Sequence, residues 1–141
     1  MFDAARAAGL PMLSGADIFV HSAGGVVRVH YWAAGRPSLD PRDQPDELVP
    51  LSENAGKTDS ATIVILPGFA EFCEKYSRHL LRLHKSGHNV LIIDWPGQGL
   101  SGHYGKDPLA VHCDDFSIYL DALDAAITAV GLWQDQLFLF G

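Results

Sequence analysis

Hydrophobic and polar positions divide the chain into a β-rich opening and, beyond residue 61, an alternation of strand and helix. Asp17 to His21 and Val26 to Trp32 are β-rich runs on either side of Ser22-Ala23-Gly24-Gly25, the arrangement of an antiparallel hairpin with a glycine-bearing turn. Thr62 to Leu66 is a short apolar, β-branched run, which predicts a strand buried on both faces and ended by Pro67-Gly68. Phe72, Tyr76, Leu80 and Leu83 then recur at helical spacing up to Gly87, a C′ residue after Lys85. Val90 to Ile93 predicts a second buried strand, followed by a turn-rich stretch from Asp94 to Pro108. Phe116, Leu120, Leu123, Ile127 and Val130 form one apolar stripe, with Asp114 and Asp115 at the positive end of the helix and Gly131 after its last turn. Leu137 to Phe140 is a third strand. The order strand, helix, strand, helix, strand implies right-handed parallel crossovers, so the expected class is α/β: an antiparallel hairpin feeding a parallel sheet with flanking helices.

Two stretches fall outside this pattern. Residues 1 to 15 have no clear period and read as a loose lead-in. Residues 34 to 61 read as an irregular acidic insertion, broken by Pro37, Pro41, Pro45 and Pro50.

Composition narrows the class. A length of 141 residues with 48% apolar content fits one globular domain rather than a disordered or fibrous chain. The formal charge of −7 repels a phosphate backbone and an anionic membrane surface, which argues against a nucleic-acid partner. No apolar run approaches the roughly 18 residues of a membrane helix, and Asp3 and Arg6 stand where a signal peptide needs an apolar stretch, so the expectation is a soluble, cytoplasmic protein without stable membrane insertion. Cys73 and Cys113 form neither a disulfide framework nor a zinc spacing and are expected as small buried side chains.

In a parallel α/β sheet, chemistry collects at the carboxyl ends of strands, here Pro67 to Glu71, Asp94 to Gly102 and Gly141. Gly97-Gln98-Gly99-Leu100-Ser101-Gly102 matches the dinucleotide pattern GxGxxG. That pattern needs a helix to start within it, and His103 to Pro108 cannot supply one. His21-Ser22-Ala23-Gly24-Gly25 mimics a nucleophile elbow, but a strand rather than a helix follows, and Val20 replaces the elbow's first glycine. His79, His84 and His88 straddle the helix end at Gly87 and are expected at the surface or as caps rather than as metal ligands. His112-Cys113 reads as a lead-in to the next helix, since adjacent side chains point apart.

Leu66-Pro67-Gly68-Phe69-Ala70-Glu71 with Lys75-Tyr76, followed by Asp94-Trp95-Pro96-Gly97-Gln98-Gly99-Leu100-Ser101-Gly102, resembles the lysophospholipase and monoglyceride-lipase branch of the α/β-hydrolase superfamily. The second segment is similar to that family's D-x-x-G-x-G-x-S-G stretch. The resemblance runs from Asp17 to Gly141 apart from the acidic insertion. It implies that residues 1 to 141 are the N-terminal portion of one α/β-hydrolase domain, with strand order 1-2-4-3-5.

The resemblance further implies a serine esterase or lipase acting on a small-molecule ester or lipid by Ser-His-Asp acyl transfer, without metal or organic cofactor. Gly141 matches the first glycine of the family's G-H-S-x-G elbow, so serine, acid and histidine are all implied after it. Half of the oxyanion hole is implied within the chain, at the backbone N–H of Phe69. Pro67-Gly68 departs from the usual His-Gly, but the donor is main chain and Phe69 retains its N–H. Glu71, Lys75 and Tyr76 are expected to serve the helix start and surface packing, and Asp94 with its glycines a turn supporting the rim of the site. The alternative expectation is a noncatalytic α/β module that acts by binding a partner.

Overall fold

The computed structural model describes residues 16–34, 61–102, 115–133 and 135–141. Its five strands are β1 (Ala16–Ser22), β2 (Gly25–Trp32), β3 (Thr62–Ile65), β4 (Asn89–Ile93) and β5 (Leu137–Phe140), in the spatial order β1-β2-β4-β3-β5. β1 and β2 pair antiparallel with Ser22 opposite Gly25, which leaves Ala23-Gly24 as a two-residue turn. β2 also runs antiparallel to β4, with Val29 opposite Ile93. β3 lies parallel between β4 and β5, pairing Ile63 with both Val90 and Phe138. The expected hairpin and parallel core are thus one mixed sheet in the expected order.

The pleat sorts side chains onto two faces. Val27, Val29, Val64, Leu91 and Ile93 pack with Ala122, Ala126 and Ile127 of helix α2 (Ser117–Val130). Ile65, Val90 and Ile92 pack on the other face with Cys73 and Leu80, the latter from helix α1 (Ser77–Lys85). Each fully buried aliphatic side chain stabilises the fold by about 1.5–3 kcal/mol relative to exposure, so this double-faced centre dominates the energetics. Among the described residues no helix is long and apolar enough to cross a membrane.

Several expectations are corrected. The first helical stretch is split: Cys73–Tyr76 forms a 3-10 turn and the α-helix begins only at Ser77. The second helix begins at Ser117, whose N–H donates to Asp115 Oδ1 at 2.8 Å. The expected stripe holds only in part: Leu123, Ile127 and Val130 face the core, but Phe116 and Leu120 are exposed, while Ala122 and Ala126 are fully buried. Small side chains let the helix approach the sheet more closely than rings would. β3 ends at Ile65 rather than Leu66, because Pro67 has no N–H for a ladder. The lead-in, the insertion between its end residues 34 and 61, His103 to Pro108, His112-Cys113 and Asp114 lie outside the described residues.

Candidate active site

The carboxyl end of β3 turns sharply. Leu66 N–H still donates to Phe140 O at 2.8 Å, and Gly141 follows directly, where a Cβ would lie 3.6 Å from Leu66 O. Gly68 to Glu71 then form a turn closed by the Glu71 N–H on Gly68 O at 3.2 Å. Ala70 has φ of 61° and Phe69 has no positive φ, the sign pattern of a type II turn with Phe69 second and Ala70 third. The Glu71 carboxylate folds back on the turn, accepting the Gly68 N–H at 2.9 Å, Lys75 Nζ at 2.7 Å and the Tyr76 hydroxyl. These three donors, Lys75 foremost, hold the carboxyl at about 2, below its ordinary 4.5, and the same bond pushes the Tyr76 phenol up. Gly68 N–H is therefore taken. Phe69 N–H has no hydrogen-bond partner among the described residues, and its side chain stands 70% exposed.

The turn after β4 packs against this loop. Asp94 is fully buried; one oxygen accepts the Cys73 N–H at 2.8 Å, and the other accepts the Leu100 N–H at 2.9 Å and Arg28 Nη1 at 3.2 Å. Gly99 is required beside it, because a Cβ there would sit 2.2 Å from the carboxylate at a backbone φ of +52°. Trp95 Nε1 donates to Pro67 O at 2.7 Å, and Gln98 Oε1 accepts the Glu71 N–H at 3.1 Å. Ser101 Oγ donates to Asp94 O at 2.6 Å and accepts the Arg28 N–H at 2.8 Å, while Gly102 N–H donates to Val26 O at 2.7 Å. The turn is thereby tied to β2, to the Pro67 to Glu71 turn and to the 3-10 turn at once.

Arg28 supplies the counter-charge. Its buried guanidinium meets Asp17 at 3.2 Å, Glu74 at 2.7 Å and Asp94 at 3.2 Å, and His30 Nδ1 lies 2.8 Å from Asp17. Burial pushes the Asp17 carboxyl up, but the bond to His30 and the Arg28 charge outweigh it and leave Asp17 below its ordinary value. Burial, reinforced by the Asp94 carboxylate, pushes the free Cys73 thiol well up, so it stays protonated and unreactive.

The two mimicking motifs resolve into supports. Ser22 Oγ donates to Gly25 O at 3.2 Å within the hairpin turn, and β2 rather than a helix follows. Gly97 to Gly102 contains no helix start; its ends meet through the Gly97 N–H on Gly102 O at 2.9 Å. Of the histidines, His79 is exposed as expected, but His84 is not a surface residue. It is buried, stacked on Trp32 with centroids 3.8 Å apart, and its Nε2 lies 2.9 Å from Ala33 O. Burial lowers its pKa. Arg28, Trp95 and Gln98 are the participants that sequence reasoning passed over. One signal was available: a charge at Arg28 inside the run Val26-Val27-Arg28-Val29 demands a buried partner.

Comparison with known proteins is consistent with this geometry. Residues 57–141, more than half of the chain, match the family model described as serine aminopeptidase, S33. Lysophospholipase L2 of Escherichia coli K12 is 39% identical over 75 residues, covering 53% of this chain and 20% of that protein. Among solved structures, a thermostable carboxyl esterase from Bacillus coagulans superposes with a TM-score of 0.60 at 16% identity, covering 92% of this chain and 36% of the esterase. A soluble variant of monoglyceride lipase from Saccharomyces cerevisiae superposes at 0.57 and 15% identity, covering 92% and 35%. At these identities the two structures share the fold, and the present chain spans only a fraction of the length of each protein it matches. The strand order, the Pro67 to Glu71 turn and the family match together make this chain a member of the serine aminopeptidase S33 family of α/β-hydrolases.

Proposed function

We propose that the intact protein is a carboxylic-ester hydrolase, of lysophospholipase or monoacylglycerol-lipase type, and that residues 1 to 141 form the N-terminal portion of its catalytic domain. The observation that carries the proposal is the Phe69 N–H, without a partner among the described residues, at the carboxyl end of β3, on the strand adjacent to β5 and Gly141. In this reading the serine follows Gly141 on the elbow after β5. Its Oγ attacks the ester carbonyl while a histidine takes the hydroxyl proton, and the carbonyl oxygen becomes an oxyanion. The Phe69 N–H and the amide after the serine donate to that oxyanion. The alcohol leaves with the proton from the imidazolium, and water then releases the acid from the acyl-enzyme.

The turn geometry supplies a clean test. Phe69 is the second residue of a type II turn, a position whose φ suits proline. Phe69→Pro in the intact protein therefore removes the N–H while keeping the backbone path, and Phe69→Ala keeps both. Ester turnover is expected to survive in Phe69→Ala and to fall by about 10² to 10³ in Phe69→Pro, the usual cost of one oxyanion donor. Circular dichroism checks that each variant is folded. Labelling of the wild type by a fluorophosphonate at a serine just beyond Gly141 is expected; a folded Phe69→Pro with full activity, or no labelled serine there, would overturn the assignment.

A further inference from the structure

The hydrogen bonds inside the Gly68 to Glu71 turn fix its shape, but they do not fix where it sits against the sheet. That position is set by bonds to another element. Two side chains of the β4 turn provide them: Trp95 Nε1 holds Pro67 O at 2.7 Å on one flank, and Gln98 Oε1 holds the Glu71 N–H at 3.1 Å on the other. Phe69 lies midway between the two grips. Gly68, Phe69 and Ala70 are themselves exposed, so packing does little to locate them.

Both grips are rigidly mounted. Gln98 is buried, its N–H donates to Trp95 O at 2.9 Å and its carbonyl accepts the Ser101 N–H at 3.0 Å. The Trp95 ring rests against Tyr119, with centroids 5.1 Å apart. The turn that carries them is anchored to β2 by Gly102 and through Asp94 to Arg28. Sheet, turn and loop therefore form one continuous chain of fixed distances ending at the Phe69 amide.

We infer that Gln98 and Trp95 are positioning residues for the Phe69 amide, holding it where a developing oxyanion needs it. The Glu71 N–H also reaches Gly68 O at 3.2 Å, so loss of the Gln98 acceptor does not leave it bare. The fold consequently loses little when Gln98 is changed, while the donor loses its reference to the sheet. Misplacement by about 1 Å in an oriented site can cost about 10²-fold in rate, so the kinetic effect exceeds the structural one.

The kinetic part of this inference rests on the ester-hydrolase reading, whereas the clamp itself does not. The test compares Gln98→Met, which keeps the length and removes the acceptor, with Gln98→Glu, which keeps both, in the intact protein. Gln98→Met is expected to lower kcat for a soluble ester by about 10-fold or more with KM unchanged, and to weaken a boronic-acid transition-state analogue by the same factor. Gln98→Glu is expected to recover most of both losses. Amide exchange at Glu71 should accelerate in Gln98→Met alone. If Gln98→Met does not fold, Trp95→Phe, which keeps a ring and removes the donor, carries the same measurements. Unchanged kcat in a folded clamp variant of an active enzyme would overturn the inference. If the wild type turns over no ester, the ester-hydrolase reading falls instead, and Glu71 exchange alone decides: acceleration upholds the clamp, and unchanged exchange overturns it.

Discussion

Ala70 carries the backbone strain of the candidate site. A φ of 61° is costly for a residue with a Cβ, by about 1–2 kcal/mol. Glycine would remove that cost but would add about 0.4–1 kcal/mol of unfolded-state freedom. Relief is the larger effect, so Ala70→Gly is expected to stabilise the protein by about 0.5–1 kcal/mol in urea denaturation. A loss of stability would mean that the alanine methyl makes a compensating contact. Its neighbour Glu71 makes the turn sensitive to acid. The carboxyl sits at about 2 in the fold against an ordinary 4.5, so its contribution is complete above about 4.5 and is lost as pH falls through that range towards 2. The Gly68 amide resonance, which reports the bond to Glu71, is expected to titrate with a midpoint near 2. A midpoint near the ordinary value would show that Lys75 and Tyr76 do not hold the carboxylate in solution.

At the level of elements, β2 couples the hairpin to the candidate site through main-chain bonds at Val26 and Arg28 and through the Arg28 guanidinium. Arg28→Met would leave the fully buried Asp94 carboxylate without its cation, and breaking a buried pair from one side typically costs about 3–5 kcal/mol. A comparable drop in unfolding free energy is expected; a negligible one would show that the Cys73 and Leu100 amides suffice for Asp94. The strands around Arg28 were legible in the sequence, because runs such as Val90 to Ile93 are short, apolar and β-branched and can only be buried on both faces. The helix face was legible at Leu123, Ile127 and Val130 but not at its first turn. Phe116 and Leu120 dominate a hydrophobicity pattern by size, whereas close packing on the sheet selects Ala122 and Ala126. At the candidate site, the proposal for Phe69 came only through family resemblance, since a main-chain amide leaves no trace in residue identity. The grips by Trp95 and Gln98 were hidden by distance along the chain: their partners lie 28 and 27 residues away and meet them only once β3 and β4 pair in parallel.

Across the whole molecule, β5 is one edge of the described sheet, opposite β1, and is poorly covered. Phe138, Leu139 and Phe140 are all exposed, Leu139 at 59%, and no charge or proline interrupts the strand. Such an edge is a template for pairing with other chains. The 141-residue polypeptide made alone is expected to be poorly soluble, and Leu139→Lys to raise its soluble yield. A monodisperse monomer with a cooperative calorimetric transition would contradict this. The strand order also sets a timetable for biosynthesis. β2 is complete once Trp32 has been added, yet the strand that pairs with its other edge begins at Asn89. About 60 residues of translation separate the two, several seconds at roughly 5–20 residues per second. Through that interval the nascent hairpin leaves the ribosome with Val27 and Val29 uncovered and one backbone edge open, so this window of elongation is when a holding chaperone matters most to the chain's fate.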